Sequence, residues 1–305
     1  MTLQQLFYAI TIATEGSMNK AANKLYISQP TLTNAIKELE KEISITIFNR
    51  NNKGVSLTEE GADFLAAARQ IYAQYEMLEE KYGDKGSHKR KFAVSSQHYS
   101  FATKAFAEMV KHFNTLDYEF AIRETKTTDV ISDVANARSE IGILYLSNFN
   151  HKYLNKLLVN NNLEFHELVV CNAMVYLYRE HPLAKQQSIT LEQLQDYPCL
   201  IFEQGDESLS YLAEEILTEN QYARVIRTTD RSTNLNLMRS LNAYTLCSGI
   251  ISEELNGGDY IAVAYEADEL NPNDTMHIGY ITRKNAVISK IGNCYIDELK
   301  NYLSI

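Results

Sequence analysis

The chain has 305 residues, 45% of them hydrophobic and 22% charged, with a net charge of −10. This composition is that of an ordinary globular protein with room for two or three domains, each with its own core. It excludes a membrane-spanning helix, since no run of roughly 18 uncharged apolar residues occurs.

The opening stretch, MTLQQLFYAITIATEG, lacks a basic segment and a small-residue cleavage site. It is expected to be a domain helix rather than a signal peptide, which points to the cytoplasm. Leu3, Leu6, Phe7, Ile10 and Ala13 give that helix an apolar stripe. Ser17 is a good N-cap for a second helix over roughly 18–25, whose Ala21 and Ala22 let another helix approach closely. Ser28 caps a third, with Pro30 in the first turn, where a missing N–H costs little. Leu32, Ile36, Leu39 and Ile43 fall on one face of it. Pro30, Asn34, Lys37 and Lys41 fall on the other, mixing an amide with cations as a major-groove helix requires. Two short β-like runs, 46–48 and 55–57, then flank Asn49–Gly54, a hairpin expected to carry Arg50 and Lys53 at its tip. Residues 1–57 thus read as a winged helix-turn-helix; a three-helix subdomain without a DNA role is the competing reading.

Charge distribution agrees with DNA binding. Residues 1–57 hold six cations against Glu15, Glu38, Glu40 and Glu42, a net of +2, which leaves −12 for the rest. An acidic body repels DNA everywhere except at such a head. One head makes few phosphate contacts, so tight binding is expected to need two or more.

The run Gly16-Ser17-x5-Ala22, Leu25, Ser28-Gln29-Pro30-x-Leu32-Thr33, Leu39-Glu40, Ile47-Phe48-x-Arg50 and Leu57-Thr58-x2-Gly61 resembles the N-terminal domain of LysR-type transcriptional regulators. His181-Pro182-Leu183-Ala184 and Ile189-Thr190-Leu191-x2-Leu194-x2-Tyr197-Pro198 are similar to that family's effector-domain signature. The resemblance covers the chain end to end. It implies DNA contacts from Ser28, Gln29, Pro30, Thr31, Thr33, Asn34, Lys37, Arg50 and Lys53. One departure is Asn34, where many relatives carry Arg; an Asn still suits a base edge, with an altered base preference.

Thr58 is expected to cap a long helix to about Tyr82, in which Phe64, Ala68, Ile71, Tyr75, Leu78 and Tyr82 make a heptad seam for a second subunit. Packing of that seam on the chain's own body is the competing reading. A polar linker follows at 84–90. Strands and helices then alternate: strand 92–94, helix 100–113, strand 118–123, helix 128–138 and strand 141–145, a βαβαβ unit. After an Asn-rich loop come strands near 164–170 and 173–178, strand 199–202, helix 208–219, strand 224–228, helix 232–241, strand 244–247, strand 276–282 and helix 288–303.

The resemblance implies an α/β effector domain of two Rossmann-like lobes, similar to type 2 periplasmic binding proteins. The expected organisation is a head at 1–57, a dimerising helix at 58–83, the linker, and an effector domain at 91–305. Lobe 1 would hold 91–163 and 275–305, and lobe 2 would hold 166–267.

Ligands of such sheets bind beyond the carboxyl ends of the strands. Ser95, Ser96, Gln97 and His98 follow the first strand, and Thr127 and Thr128 follow the second. Glu203, and Thr229 with Asp230, occupy comparable junctions further on, and Tyr145 ends the third strand. Hydroxyls and helix N-termini would hold a carboxylate, while Glu203, Asp230 and Tyr145 would meet an amino group. Each stretch alone also reads as an ordinary helix cap. The Ser96–Tyr99 and Ser139–Tyr145 runs are similar to Gram-positive LysR-type regulators of cysteine and methionine metabolism, which extends the expected ligand to sulfur metabolites.

No catalytic residue, metal or cofactor is expected, because nucleophile-elbow, dinucleotide, P-loop and HExxH motifs are missing and the seven histidines are isolated. The four cysteines lack a CxxC spacing and read as buried small hydrophobes, with a redox pair as the alternative. The sequence therefore points to a homodimeric or homotetrameric DNA-binding regulator with a small-molecule effector. The rival from another class is a bilobed α/β enzyme with an accessory DNA-binding head; a transport solute-binding protein is a third, disfavoured by that head.

Overall fold

The structure is a computed structural model that describes residues 1–51, 54–82, 89–113, 117–205, 210–216, 222–266 and 274–303. It divides into a unit Met1–His88 and a unit Lys89–Ile305.

In the first unit α1 (Leu3–Glu15), α2 (Met18–Lys24) and α3 (Gln29–Ile43) precede the hairpin β1 (Phe48–Asn51) and β2 (Gly54–Leu57), and α4 (Glu59–Tyr82) follows. Local chemistry sets each boundary. Thr2 and Gln5 form a capping box on α1, and Gly16 ends that helix at a φ of 63°, a left-handed conformation that suits glycine. The side chains of Ser17 and Ser28 accept from Lys20 N–H and Thr31 N–H. Leu32, Ile36 and Leu39 are fully buried against Ile12, Ala21 and Ala22, as their spacing predicts.

The Leu39-Glu40 pair has a tertiary reason. Glu40 Oε1 accepts the N–H groups of Ile47 (2.8 Å) and Phe48 (3.1 Å), fastening the start of the hairpin to α3. Thr58 Oγ1 accepts Gly61 N–H at 2.8 Å and so caps α4. The hairpin differs from expectation in register: Arg50 lies within β1, opposite Val55, rather than at the tip. Its side chain, and the whole of Lys53, lie outside the described residues, as does most of the expected linker, 83–88.

The second unit holds two sheets. The first is ordered β4-β3-β5-β13-β6. Its elements are β3 (Arg90–Ser96), α5 (Ser100–Lys111), β4 (Tyr118–Glu124), α6 (Thr127–Ala135), β5 (Ile141–Leu146), α7 (His151–Asn160) and β6 (Leu163–Asn172), with β13 (Thr275–Arg283) and α11 (Lys290–Leu303) returning at the end. Strands β4, β3 and β5 are parallel, and β13 runs antiparallel between β5 and β6.

The second sheet is ordered β10-β9-β11-β7-β12-β8. It is built from β7 (Met174–Tyr178), β8 (Ser188–Thr190), α8 (Leu191–Leu194), β9 (Cys199–Phe202), β10 (Val225–Thr228), α9 (Arg231–Leu241), β11 (Tyr244–Cys247), α10 (Glu253–Asn256) and β12 (Tyr260–Glu266). In the first lobe Phe92, Phe106 and Tyr295 pack ring against ring at 6.0–6.3 Å, locking α5 and α11 onto β3.

Three expectations are corrected. Strand β6 pairs with β13 along its length and belongs to lobe 1, so the chain passes to lobe 2 at Ala173 and not between 163 and 166, where the expected lobe bounds meet. The Asn-rich stretch contains helix α7, whose Leu154 and Leu158 are buried. The expected helix at 208–219 is replaced, over its described part 210–216, by a single 3-10 turn, Ser210–Leu212, and bends. The return from lobe 2 to lobe 1, which the expected lobe bounds place between 267 and 275, falls mostly outside the described residues.

A Cβ at Gly61 would collide with the carbonyl oxygen of Ile47. Alanine gains roughly 1 kcal/mol of helix propensity over glycine, whereas overpacking against rigid backbone costs about 1–3 kcal/mol. Gly61→Ala is therefore expected to destabilise the head, seen as a lowered melting temperature of its transition in the full chain. An unchanged or raised value would contradict the tight approach of α4 to the hairpin.

Candidate effector cleft and nucleic-acid interface

On the head, Ser28, Gln29, Pro30, Thr31, Asn34, Lys37 and Lys41 are exposed, opposite the buried stripe of α3. Ser28 Oγ and Thr31 Oγ1 lie 2.7 Å apart, and Gln29 Nε2 donates to Thr33 Oγ1 at 3.1 Å, leaving Thr33 half-buried. This polar edge at the start of α3 is held in place before any partner arrives. Sequence reasoning missed Tyr26, which sits in the turn before α3, is 96% exposed, and has a φ of 55° that bulky residues rarely adopt.

Along α4, Leu65 and Ala68 are buried and Phe64 is half-buried in the head's own core, while Ile71 (46%) and Leu78 (58%) are exposed. The N-terminal part of the expected seam thus packs within its own chain. Tyr72 stacks on Phe7 of α1 with ring centroids 5.0 Å apart.

The ends of β3, β4, β9 and β10 meet between the two lobes, and here the second unit is polar. His98, at the N-terminal approach to α5, stacks on Phe202 of the other lobe with centroids 3.9 Å apart and planes 5° off parallel. Its backbone N–H donates to Glu214 Oε2 at 2.8 Å, and its Nδ1 lies 2.9–3.0 Å from both Glu214 oxygens. Gln204 Nε2 donates to Glu214 Oε1 at 2.9 Å. Burial opposes a charge on His98; the Glu214 carboxylate outweighs it and, with Glu124, raises the imidazole pKa above its ordinary value.

Adjacent Glu215 is 3% exposed. Its Oε1 accepts Phe202 N–H at 2.8 Å, and its backbone oxygen accepts the Tyr145 hydroxyl at 3.1 Å. Burial, with Glu214 next to it, pushes the Glu215 carboxyl up to about 8.

These groups border a small cavity of about 80 Å³ that is partly open to solvent. His98, Tyr99 and Ser100 line it from lobe 1; Tyr176, Phe202, Arg231 and Leu246 are among those lining it from lobe 2. Arg231 is not a free cation: Nε and Nη2 donate to the two oxygens of Glu124, at 2.8 and 2.5 Å, across the cleft.

The expected effector residues fare unequally. Ser95 is corrected: its hydroxyl donates to Asp133 at 2.6 Å and lies 2.8 Å from Ser139 Oγ, inside lobe 1 and away from the cleft. Ser96 is fully buried and donates to Gln97 O. Gln97 joins Thr127 Oγ1 to Tyr145 N–H, and Thr127 Oγ1 donates to Leu212 O. Thr128 and Thr229 are exposed, exposed Asp230 caps α9 through Thr233, and Glu203 is half-buried beside β10. Of the expected set, His98 alone lines the cavity. Glu214, Glu215, Tyr99 and Arg231 were missed.

Among the described residues, no group of His, Cys, Asp and Glu could hold a metal ion, and no helix is long and apolar enough to cross a membrane. The cysteines are free. Burial pushes the thiols of Cys199 and Cys247 up to about 12 and that of Cys171 to about 11, which opposes the reactive thiolate.

Residues 3–62 match the bacterial regulatory helix-turn-helix protein, lysR family, and residues 93–304 match the LysR substrate binding domain. The chain belongs to the LysR family. It is a transcriptional regulator with a helix-turn-helix DNA-binding region and a LysR effector-binding domain. It is 31% identical to the HTH-type transcriptional regulator AlsR of Bacillus subtilis over 205 residues, 66% of this chain and 64% of that one. It is 25% identical to the uncharacterized HTH-type transcriptional regulator YbhD of Escherichia coli over 301 residues, 96% of this chain and 89% of that one. In fold it is similar to a full-length OxyR variant from Pseudomonas aeruginosa, with a TM-score of 0.67 at 18% identity covering 100% of this chain and 95% of that chain.

The Glu215 carboxyl has a pH consequence. Its pKa in the folded chain, about 8, exceeds the ordinary 4.5, so between these values the folded state binds more protons than the unfolded state. Stability then falls as pH rises through that window, by up to roughly 1.4 kcal/mol per pH unit. Glu215→Gln keeps the acceptor for Phe202 and removes the titration. It is expected to flatten the decline in effector-domain stability between pH 5 and 9, as read by urea unfolding. Parallel profiles for variant and parent would contradict a neutral buried Glu215.

Proposed function

We propose that the exposed face at the start of α3 reads a base sequence in the DNA major groove. Ser28, Gln29, Pro30, Thr31, Asn34 and Lys37 supply the polar edge, Thr33 is steadied by Gln29, and Arg50 and Lys53 of the hairpin add phosphate contacts. The observation that carries this reading is an exposed polar and cationic face set opposite a stripe of fully buried Leu32, Ile36 and Leu39. The site of action is the cytoplasm, where the DNA lies, and the chain catalyses no reaction. Asn34→Ala is expected to cost about 1–3 kcal/mol at one base pair of the operator and to relax selectivity there. Binding measured across operators varied at single positions checks this; an equal loss on every sequence would make Asn34 a phosphate contact instead.

A head with a net charge of only +2 needs a second head on the same DNA. We infer that Ile71 and Leu78, apolar and exposed on α4, pair with a second copy to form a dimer, or a tetramer built from dimers. Ile71→Glu with Leu78→Glu is expected to leave the effector domain folded, yield a monomer in light scattering and abolish tight binding to a two-fold operator. Unchanged mass and affinity would place dimerisation elsewhere.

The interlobe cavity is the effector site in this reading. A small molecule bound there shifts the balance between assembly geometries, by no more than its difference in affinity for them. His98 touches the cavity directly, while Gln97, Thr127 and Tyr145 hold its walls. Ser96, Thr128, Glu203, Thr229 and Asp230 lie at the surrounding strand ends.

A further inference from the structure

The cleft contains a carboxylate already. Glu214 is 6% exposed, belongs to lobe 2, and is held by the backbone N–H of His98, the His98 ring and the Gln204 amide. These are groups that recognise a small free carboxylate: an N–H at the approach to a twelve-residue helix, an imidazole and a primary amide. The segment that carries Glu214 is the same 210–216 stretch whose helical pattern is overridden. It reaches lobe 1 again through Leu212 O, which accepts from Thr127, and Glu215 O, which accepts from Tyr145.

A second observation points to a ligand. Tyr99 Oη and Glu215 Oε2 are buried and have no hydrogen-bond partner. Both residues line the cavity that adjoins Glu214. Buried polar atoms are rarely left unpaired, and such atoms facing a cavity mark where a bound molecule would complete them. The remaining wall includes the apolar side chains of Phe202 and Leu246.

We propose that Glu214 is a tethered occupant of a carboxylate subsite, and that the effector is a small carboxylic acid with a second hydrogen-bonding group, which displaces Glu214 and meets Tyr99 and Glu215. This rests on the cavity's being the effector site. Displacement breaks the contact of Glu214 with His98, so occupation of the subsite and that one contact between the lobes exclude each other, while Leu212 and Tyr211 stay packed on lobe 1.

The test uses the full chain and acetate, the fragment that Glu214→Ala removes, with acetamide as a neutral control of the same shape. Acetate is expected to bind Glu214→Ala saturably, by thermal shift and saturation-transfer NMR, roughly tenfold or more tightly than it binds the parent, the effect of one charge-assisted hydrogen bond. Acetamide is expected to bind it at least tenfold more weakly than acetate. Glu214→Gln keeps the side chain's volume and removes its charge. Should Glu214→Ala not fold, acetate is expected to bind Glu214→Gln more tightly than the parent by a similar factor. Equal acetate affinity in variant and parent, or equal binding of acetamide, overturns the subsite. Operator binding is measured alongside: if acetate binds Glu214→Ala selectively and leaves DNA affinity unchanged, the subsite stands and the effector reading of the cavity falls.

Discussion

A carboxylate taken out of water must be met by donors, or it costs several kcal/mol. Glu214 is met from both lobes, by His98 on one side and Gln204 on the other. Much else in the effector domain follows from that requirement. His98 has to present its backbone N–H and its ring to the same group, which fixes the turn between β3 and α5. Phe202 is positioned to cover the ring. Over 210–216, two carbonyls and two carboxylates are bound to partners outside the segment. Burial of the neighbouring Glu215 carboxyl, with Glu214 beside it, holds its proton well above the usual range.

The lobes are held by further polar contacts whose strength depends on burial. The Arg231–Glu124 pair is bidentate and only about a fifth exposed on each side, whereas Glu254 in the Lys104–Glu254 pair is 70% exposed and contributes little in water. A ligand that separates or tightens the lobes therefore acts mainly against the buried cluster around Glu214 and the Arg231 bridge. The DNA-binding head follows a different design. Its core is built mainly from alanines and branched aliphatics, with Met18 and Phe48, and the polar side chains at the start of α3 face outward.

Features governed by local rules were legible in the sequence. Ser17, Ser28 and Thr58 cap helices because a hydroxyl at that position answers free N–H groups whatever the tertiary context. The stripe Leu32, Ile36 and Leu39 follows from helical spacing alone. Strand alternation was legible too, and would have separated Ser95 from Ser96: consecutive residues of a strand point to opposite faces, and Ser95 points into lobe 1. What stayed hidden depends on distant partners. The affiliation of β6 is decided by its pairing with β13, more than a hundred residues later in the chain. Glu214 and Glu215 read as the polar face of a helix, because their burial is visible only once His98 and Phe202 are brought against them. Charge composition placed the DNA-binding function at the N-terminus, whereas no pattern in sequence distinguishes a solvated glutamate from one that bridges two lobes.

The Glu214 bridge between the lobes is closed in the unliganded chain. Amide hydrogen exchange of His98 in the full-length, unliganded chain tests it directly, since that N–H lies in a turn and its acceptor is the Glu214 carboxylate. Exchange slowed to the level of the neighbouring strand β3 is the predicted result. Exchange at the rate of an unprotected surface turn would show that the lobes are not joined through Glu214, and would contradict the account.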